Sequence, residues 1–226
     1  MENAIELSKK TAAIKAVEYI KDGMIVGLGT GSTTEYVIEE IANRISSEKL
    51  CDIVGIPTSK RTEKLAEERG IKIEPVNSVD YIDVDIDGAD EVDPEFNLIK
   101  GGGGAHTMEK RVAIKSRQFI VVVDYSKMVD RIGKFPIAVE VIPERVEPVT
   151  EELRRIGGRP ELRDNFKTDL GNIILDTKFD KIDVEMMEDR INSIEGVIDN
   201  GIFSKRRPEI VIIGNRSNVK ILRKNG

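Results

Sequence analysis

Three segments of this chain set glycine, hydroxyl and charged residues at spacings that can do chemistry. The first is Gly27-Leu28-Gly29-Thr30-Gly31-Ser32-Thr33. A glycine-rich turn between a strand and a helix exposes backbone N–H groups beside a helix N-terminus, which together attract anions. The hydroxyls of Ser32 and Thr33 add donors for phosphate oxygens. A dinucleotide fingerprint fits poorly, because its third glycine would fall at Ser32 and the next strand ends in Thr58-Ser59 without a ribose-binding acid. A P-loop would need Gly-Lys-Ser/Thr, and the segment has no lysine. The segment therefore reads as a cradle for the phosphate of a small ligand. The plain alternative is a tight turn that packs strand on helix.

The second segment runs Asp83-Val84-Asp85-Ile86-Asp87-Gly88-Ala89-Asp90-Glu91-Val92-Asp93. Through Gly88 it matches the opening of an EF-hand loop, but Pro94 stands where a bidentate glutamate is required. Residues 81–87 alternate apolar and polar, which is strand periodicity. Asp87 then ends a parallel strand, on the side where open α/β sheets place ligands. Asp87 and Asp90, separated by a Gly-Ala turn, can serve proton transfer, since clustered carboxylates raise one another's pKa. A solvated acidic turn is the bland reading.

The third segment is Lys100-Gly101-Gly102-Gly103-Gly104-Ala105-His106-Thr107-Met108-Glu109. Four consecutive glycines cost backbone entropy, so a plain loop is a poor reason for them. They let backbone donors approach a ligand, and the following helix aims its N-terminus at the same place. Lys100 supplies fixed positive charge. Glu109 falls on the first helical turn, where it either reaches the ligand or simply complements the helix dipole. His106, the single histidine, reads as a polar loop residue, and Cys51 reads as a small buried residue at the start of an apolar strand.

The elements that must position these residues alternate. Helical stripes at residues 9–20, 32–45, 59–69 and 107–116 alternate with apolar runs at 24–26, 53–56, 71–73, 81–86 and 119–123, which predicts βαβ units and a parallel sheet. After Asp124 the order changes. Strands at 137–141, 159–163, 172–178 and 197–203, with helices at 150–156 and 184–194, give βαββαβ, the ferredoxin-like order. Residues 209–214 read as a strand returning to the first sheet. The fold class is α/β, with a Rossmann-like parallel-sheet domain at 1–130 plus 207–226 and a smaller ferredoxin-like α+β domain at 131–206.

Composition narrows the function classes. A chain of 226 residues makes one large or two small domains at roughly 150 residues each. One cysteine forbids an intrachain disulfide. A net charge of −6 argues against nonspecific nucleic-acid binding. No apolar run approaches the ~20 residues of a membrane span, and residues 1–10 lack the apolar core of a signal peptide. A folded cytoplasmic protein without nucleic-acid or membrane partners is expected.

Taken in order, GLGTGSTT, DGADEVD and KGGGGA with its following Glu-Lys pair resemble the A-type ribose-5-phosphate isomerases. The likeness continues through residues 123–127, 133–143, 157–160 and 171–176, so it covers essentially the whole chain. His106 and Met108 depart from it, standing where the family usually has an apolar residue and arginine. The resemblance implies interconversion of ribose 5-phosphate and ribulose 5-phosphate in the non-oxidative pentose phosphate pathway, with no metal and no organic cofactor. It implies Glu109 as base, Asp87 and Asp90 as acidic partners and Lys100 as the active-site lysine. It also implies substrate contacts at Thr30, Gly31, Ser32, Thr33, Gly101, Gly102, Gly103, Gly104, Lys127 and Lys9, and homodimers or homotetramers. On this reading Glu109 moves the proton between C2 and C1, and Asp87 shuttles the hydroxyl proton. The sequence leaves open which glycine-rich loop takes the phosphate; the preferred placement is near Gly101, Gly102, Gly103, Gly104 and Lys127, with Thr30, Gly31, Ser32 and Thr33 along the sugar. The rival readings are a sugar-phosphate-sensing module without catalysis and an amino-sugar phosphate isomerase/deaminase, which would need a catalytic histidine.

Overall fold

The computed structural model describes residues 2–180 and 182–224. Met1, Lys181, Asn225 and Gly226, which the expected domains include, lie outside the described residues. The first half contains α1 (Glu2–Val17), β1 (Ile25–Leu28), α2 (Ser32–Ser46), β2 (Val54–Pro57), α3 (Lys60–Glu68), β3 (Lys72–Ile73) and β4 (Ile82–Asp87). Next come β5 (Glu91–Val92), β6 (Leu98–Ile99), α4 (His106–Lys115) and β7 (Ser116–Asp124). The rest comprises β8 (Ile137–Val141), α5 (Val146–Arg155), β9 (Arg159–Leu162), β10 (Ile173–Lys178) and α6 (Val184–Asn192). It ends with β11 (Val197–Asn200), β12 (Ile202–Phe203), β13 (Ile210–Asn215) and β14 (Asn218–Arg223). Among the described residues no helix is long and apolar enough to cross a membrane.

Packing divides the chain into two compact units. One holds the described residues through Gly88, Met108–Met128 and the described residues from Pro208 onward; the other holds Ala89–Thr107 and Val129–Arg207. Residues 89–107, expected with the first domain, group with the second unit. The cause is strand pairing, because β5 and β6 form a three-stranded sheet with β12.

The first unit is built on a seven-stranded sheet in the order β14-β13-β7-β4-β1-β2-β3. All its pairs are parallel except β13 with β14. The six parallel strands reproduce the 3-2-1-4-5-6 order of the doubly wound fold. On one face the stripe Ala12, Ala13, Ala16 and Val17 of α1 and Val37, Ile38 and Ile41 of α2 buries Val26, Leu28, Val84, Ile86, Ile120 and Val122. The order of strand addition reverses at β1, since β2 and β3 extend the sheet one way and β4, β7 and β13 the other. Ligands of such sheets bind outside the carboxyl ends of the strands flanking that reversal.

Gly214 lets α1 lie close against β13. A Cβ there would stand 1.9 Å from the Ser8 carbonyl oxygen, a backbone atom that cannot rotate away. Gly214→Ala is expected to cost about 1–3 kcal/mol by displacing the helix, read as a lower urea midpoint. A loss under about 0.5 kcal/mol would mean that the contact is loose.

The second unit centres on a four-stranded antiparallel sheet in the order β11-β8-β10-β9. With α5 and α6 this is the βαββαβ arrangement. Val139, Val141 and Leu175 pack beneath Val149 and Leu153 of α5 and Met187 and Ile191 of α6. Alternation turns Ala138 and Glu140 to the face opposite α5 and α6, where Asp176 and Ile174 are their cross-strand partners.

Candidate active site

In the first unit, Asp83, Asp85 and Asp87 share one side of β4 because strand side chains repeat every second residue. Asp85 and Asp87 are fully buried. The neighbouring strand makes room for them. A Cβ on Gly27 would lie 2.5 Å from Asp85 Oδ1, and one on Gly29 would lie 2.0 Å from Asp87 Oδ1. These two glycines therefore serve clearance for carboxylates, a role the sequence reading did not give them. Asp87 sits at the carboxyl end of β4, beside the sheet's reversal point. Its Oδ1 accepts from the N–H groups of Gly88 at 2.7 Å and Thr30 at 3.2 Å.

The rest of the first glycine segment is held by hydroxyls. Thr30 Oγ1 lies 2.7 Å from Thr58 Oγ1, 2.8 Å from Ser59 Oγ and 3.1 Å from Thr62 Oγ1. Thr62 Oγ1 also donates to the Gly29 carbonyl at 2.9 Å. The Thr30 side chain is thus engaged within the protein, while its N–H holds Asp87. Gly31, with φ +148°, caps α2, and open space surrounds its Cβ position. Ser32 is the first and exposed residue of that helix, followed by half-buried Thr33. Lys9 is paired with Glu6 at 2.6 Å. That hydrogen bond, with another from Tyr36, holds the Glu6 carboxyl below the usual carboxylate range, and the bond to Glu6 pushes the Tyr36 phenol up.

Glu109 lies on the first turn of α4 and is 4% exposed. Lys127 ends the 3-10 turn Tyr125–Lys127 after β7 and is half-buried. Asp124 caps that turn, accepting from the Ser126 N–H at 2.9 Å.

In the second unit, Lys100 follows β6 and is 2% exposed. Its N–H donates to the Gly201 carbonyl at 2.8 Å, and its ammonium lies 5.6 Å from the centre of the Phe203 ring. The glycines after it lie on the face of the sheet opposite α5 and α6, where a Cβ on Gly101 would stand 2.7 Å from the Ala138 Cβ. Gly101 and Gly104 take positive φ, 109° and 74°. A Cβ at Gly104 would meet Phe166 at 2.3 Å. Asp90 Oδ2 accepts the Gly102 N–H at 2.8 Å, and the Gly104 N–H donates to the Gly101 carbonyl at 2.9 Å. Two of the loop's donors are therefore engaged, which disfavours it as the main phosphate cradle. Gly102 and Gly103 are exposed. His106, expected to be a polar loop residue, opens α4 and is fully buried, with Nδ1 3.1 Å from the Cβ position of Gly101.

Several polar groups here were invisible in the sequence reading. Arg163 forks onto Asp176 at 2.8 and 2.5 Å and donates to the Gly101 carbonyl at 3.0 Å. Glu140, 1% exposed, accepts from Thr168 at 2.7 Å, from Asn172 at 2.9 Å and from Thr107. Thr58, Ser59 and Thr62, a strand end and helix residues by sequence, are the hydroxyl partners of Thr30. Cys51 corrects an expectation as well: it is exposed, in the turn before β2, where a hydrogen bond with Asp22 pushes its thiol up.

The family model "Ribose 5-phosphate isomerase A (phosphoriboisomerase A)" matches residues 54–218. The chain is 49% identical to ribose-5-phosphate isomerase A of Trichormus variabilis over 218 residues, which cover 93% of this chain and 92% of that protein. With the Methanothermobacter thermautotrophicus enzyme it is 49% identical over 222 residues, covering 95% and 97%. A solved D-ribose-5-phosphate isomerase in complex with phospho-erythronic acid superposes with a TM-score of 0.95 at 46% identity, covering 97% of this chain and 99% of that one. These matches lend no support to a sensing module or a deaminase. Fold, motif order and these likenesses agree: the chain belongs to the ribose 5-phosphate isomerase A family.

Proposed function

We propose that Glu109 is the base with which this aldose–ketose isomerase interconverts D-ribose 5-phosphate and D-ribulose 5-phosphate. The carrying observation is a carboxylate withdrawn from water on the first turn of a helix, at 4% exposure. A C–H beside a carbonyl or hydroxyl is a weak acid, so its removal needs a positioned base and a site for enediolate charge. Glu109 takes the proton from C2 and returns it to C1. Asp87, fixed by the N–H groups of Gly88 and Thr30, moves the hydroxyl proton between O2 and O1 and assists ring opening. Asp90 is its acidic partner, held by the Gly102 N–H. Lys100 and the Gly103 N–H stabilise the oxyanion, a contribution of roughly 3–4 kcal/mol per well-placed donor.

The 5-phosphate sits at the start of α2, with Gly31, Ser32 and Thr33, rather than on the loop from Gly101 to Gly104. The α2 end is glycine-capped and open, whereas the other loop has two donors engaged. Lys127 and Lys9 add positive charge, and Lys9 must share itself with Glu6. We place the domain boundaries at the edges of the two compact units. A cytoplasmic location suits a single, free and exposed cysteine. Assembly as a homodimer or homotetramer follows the family resemblance and is read by light scattering.

The reaction as proposed uses neither metal nor organic cofactor. Purified protein given ribose 5-phosphate in excess EDTA is expected to form ketose at the same rate as without chelator. Absence of ketose under both conditions sinks the proposal. Activity lost in EDTA and restored only by a divalent ion would instead make the acidic segment a metal site.

A further inference from the structure

The second glycine loop rests on the face of the four-stranded sheet opposite α5 and α6, and one side chain there grips it. Arg163 follows β9, and its N–H donates to the Ile174 carbonyl at 3.0 Å. Its guanidinium forks onto both oxygens of Asp176 in β10. The remaining reach of Nη1 goes to the carbonyls of Gly101 at 3.0 Å and Gly102 at 3.4 Å. Phe166, 5.3 Å from the guanidinium, fills the space that a side chain at Gly104 would need.

The Gly101–Gly102 peptide is therefore held at both ends. Its carbonyl oxygen accepts from Arg163, and its N–H donates to Asp90 Oδ2. The two bonds of a planar trans peptide point in opposite directions, so fixing one fixes the other. Both charged partners of the fork are largely withdrawn from solvent, with side chains 17% and 24% exposed. A planar guanidinium satisfies a carboxylate and a carbonyl at once; an ammonium cannot match that fork.

We infer that Arg163, oriented by Asp176, is a positioning residue for the reaction: through the Gly101–Gly102 peptide it sets the placement of Asp90 and of the chain after Lys100. This rests on the isomerase reading above, in which Asp90 and Lys100 act on substrate. Arg163 itself touches none of the reacting atoms.

The test compares Arg163→Ala, Arg163→Lys and Asp176→Asn with the parent in steady-state turnover of ribose 5-phosphate. Thermal midpoints are measured on the same samples. Misplacement of acting groups by about 1 Å lowers kcat roughly 10–100-fold, and KM is expected to stay within about threefold, because the phosphate contacts are elsewhere. Arg163→Lys should be nearly as impaired as Arg163→Ala. Millimolar guanidinium should restore part of the turnover of Arg163→Ala and none of that of Arg163→Lys. Turnover of Arg163→Ala within about twofold of the parent overturns the inference. So does a loss that guanidinium leaves untouched while the melting points of Arg163→Ala and Asp176→Asn fall together. An inactive parent would count against the isomerase reading itself, which keeps the two failures apart.

Discussion

Glu109→Gln is expected to lower kcat by about 10²–10⁴-fold while KM for ribose 5-phosphate stays within about threefold. The amide keeps the shape and most of the hydrogen-bonding reach of the carboxyl but cannot accept a proton from carbon. Glu109 is 4% exposed, so bulk water is poorly placed to replace it as base. The measurement is ketose formation, together with incorporation of deuterium from heavy water at C1 of the product. Both should fall in the same proportion, since one group removes and returns the proton. Near-normal turnover would refute the assignment. Turnover that falls while recovered ribose 5-phosphate still exchanges deuterium at C2 would leave Glu109 with a role after proton abstraction. An unchanged urea midpoint confirms that the variant is folded.

How far the sequence carried depends on the distance over which each feature is encoded. The parallel sheet was legible because its strands are continuous apolar runs, such as Ile120, Val121, Val122 and Val123, and its helices carry one-sided stripes. The two-residue strands β5 and β6 lie in no apolar run long enough to show a period and escaped, while β12 was merged with β11 in the single strand expected at 197–203. Strand β14 escaped because its hairpin turns on Arg216 at φ 54°, with none of the glycine that usually marks such a position. In the site, the carboxylates and glycines were legible by type. Their mutual roles were not, since Gly29 meets Asp87 from 58 positions away and Arg163 meets Gly101 from 62. The hydroxyl cluster likewise joins Thr30 to partners 28 to 32 residues on. No local pattern announces such pairs, and only the strand register brings them together.

Gly29 tests that register most directly. Gly29→Ala is expected to lower kcat/KM by about 10²-fold or more and stability by about 1–3 kcal/mol. The added methyl would lie 2.0 Å from Asp87 Oδ1, 2.2 Å from its Cγ and 2.7 Å from its Cα. Rotation of the carboxyl relieves the first two contacts but breaks its bonds to Thr30 and Gly88, and it leaves the third untouched. Displacement of the loop instead strains the Gly29 N–H bond to the Ile86 carbonyl, 3.1 Å, and the Thr62 bond to the Gly29 carbonyl. Either way Asp87 loses its placement. The double variant with Asp87→Ala separates these routes, because it removes Oδ1 and Cγ and should recover part of the stability lost by Gly29→Ala alone. Purely additive stability losses would mean that the two residues do not press on one another. Parent-like turnover in Gly29→Ala would mean that the reaction does not depend on holding Asp87 where β1 and β4 now place it.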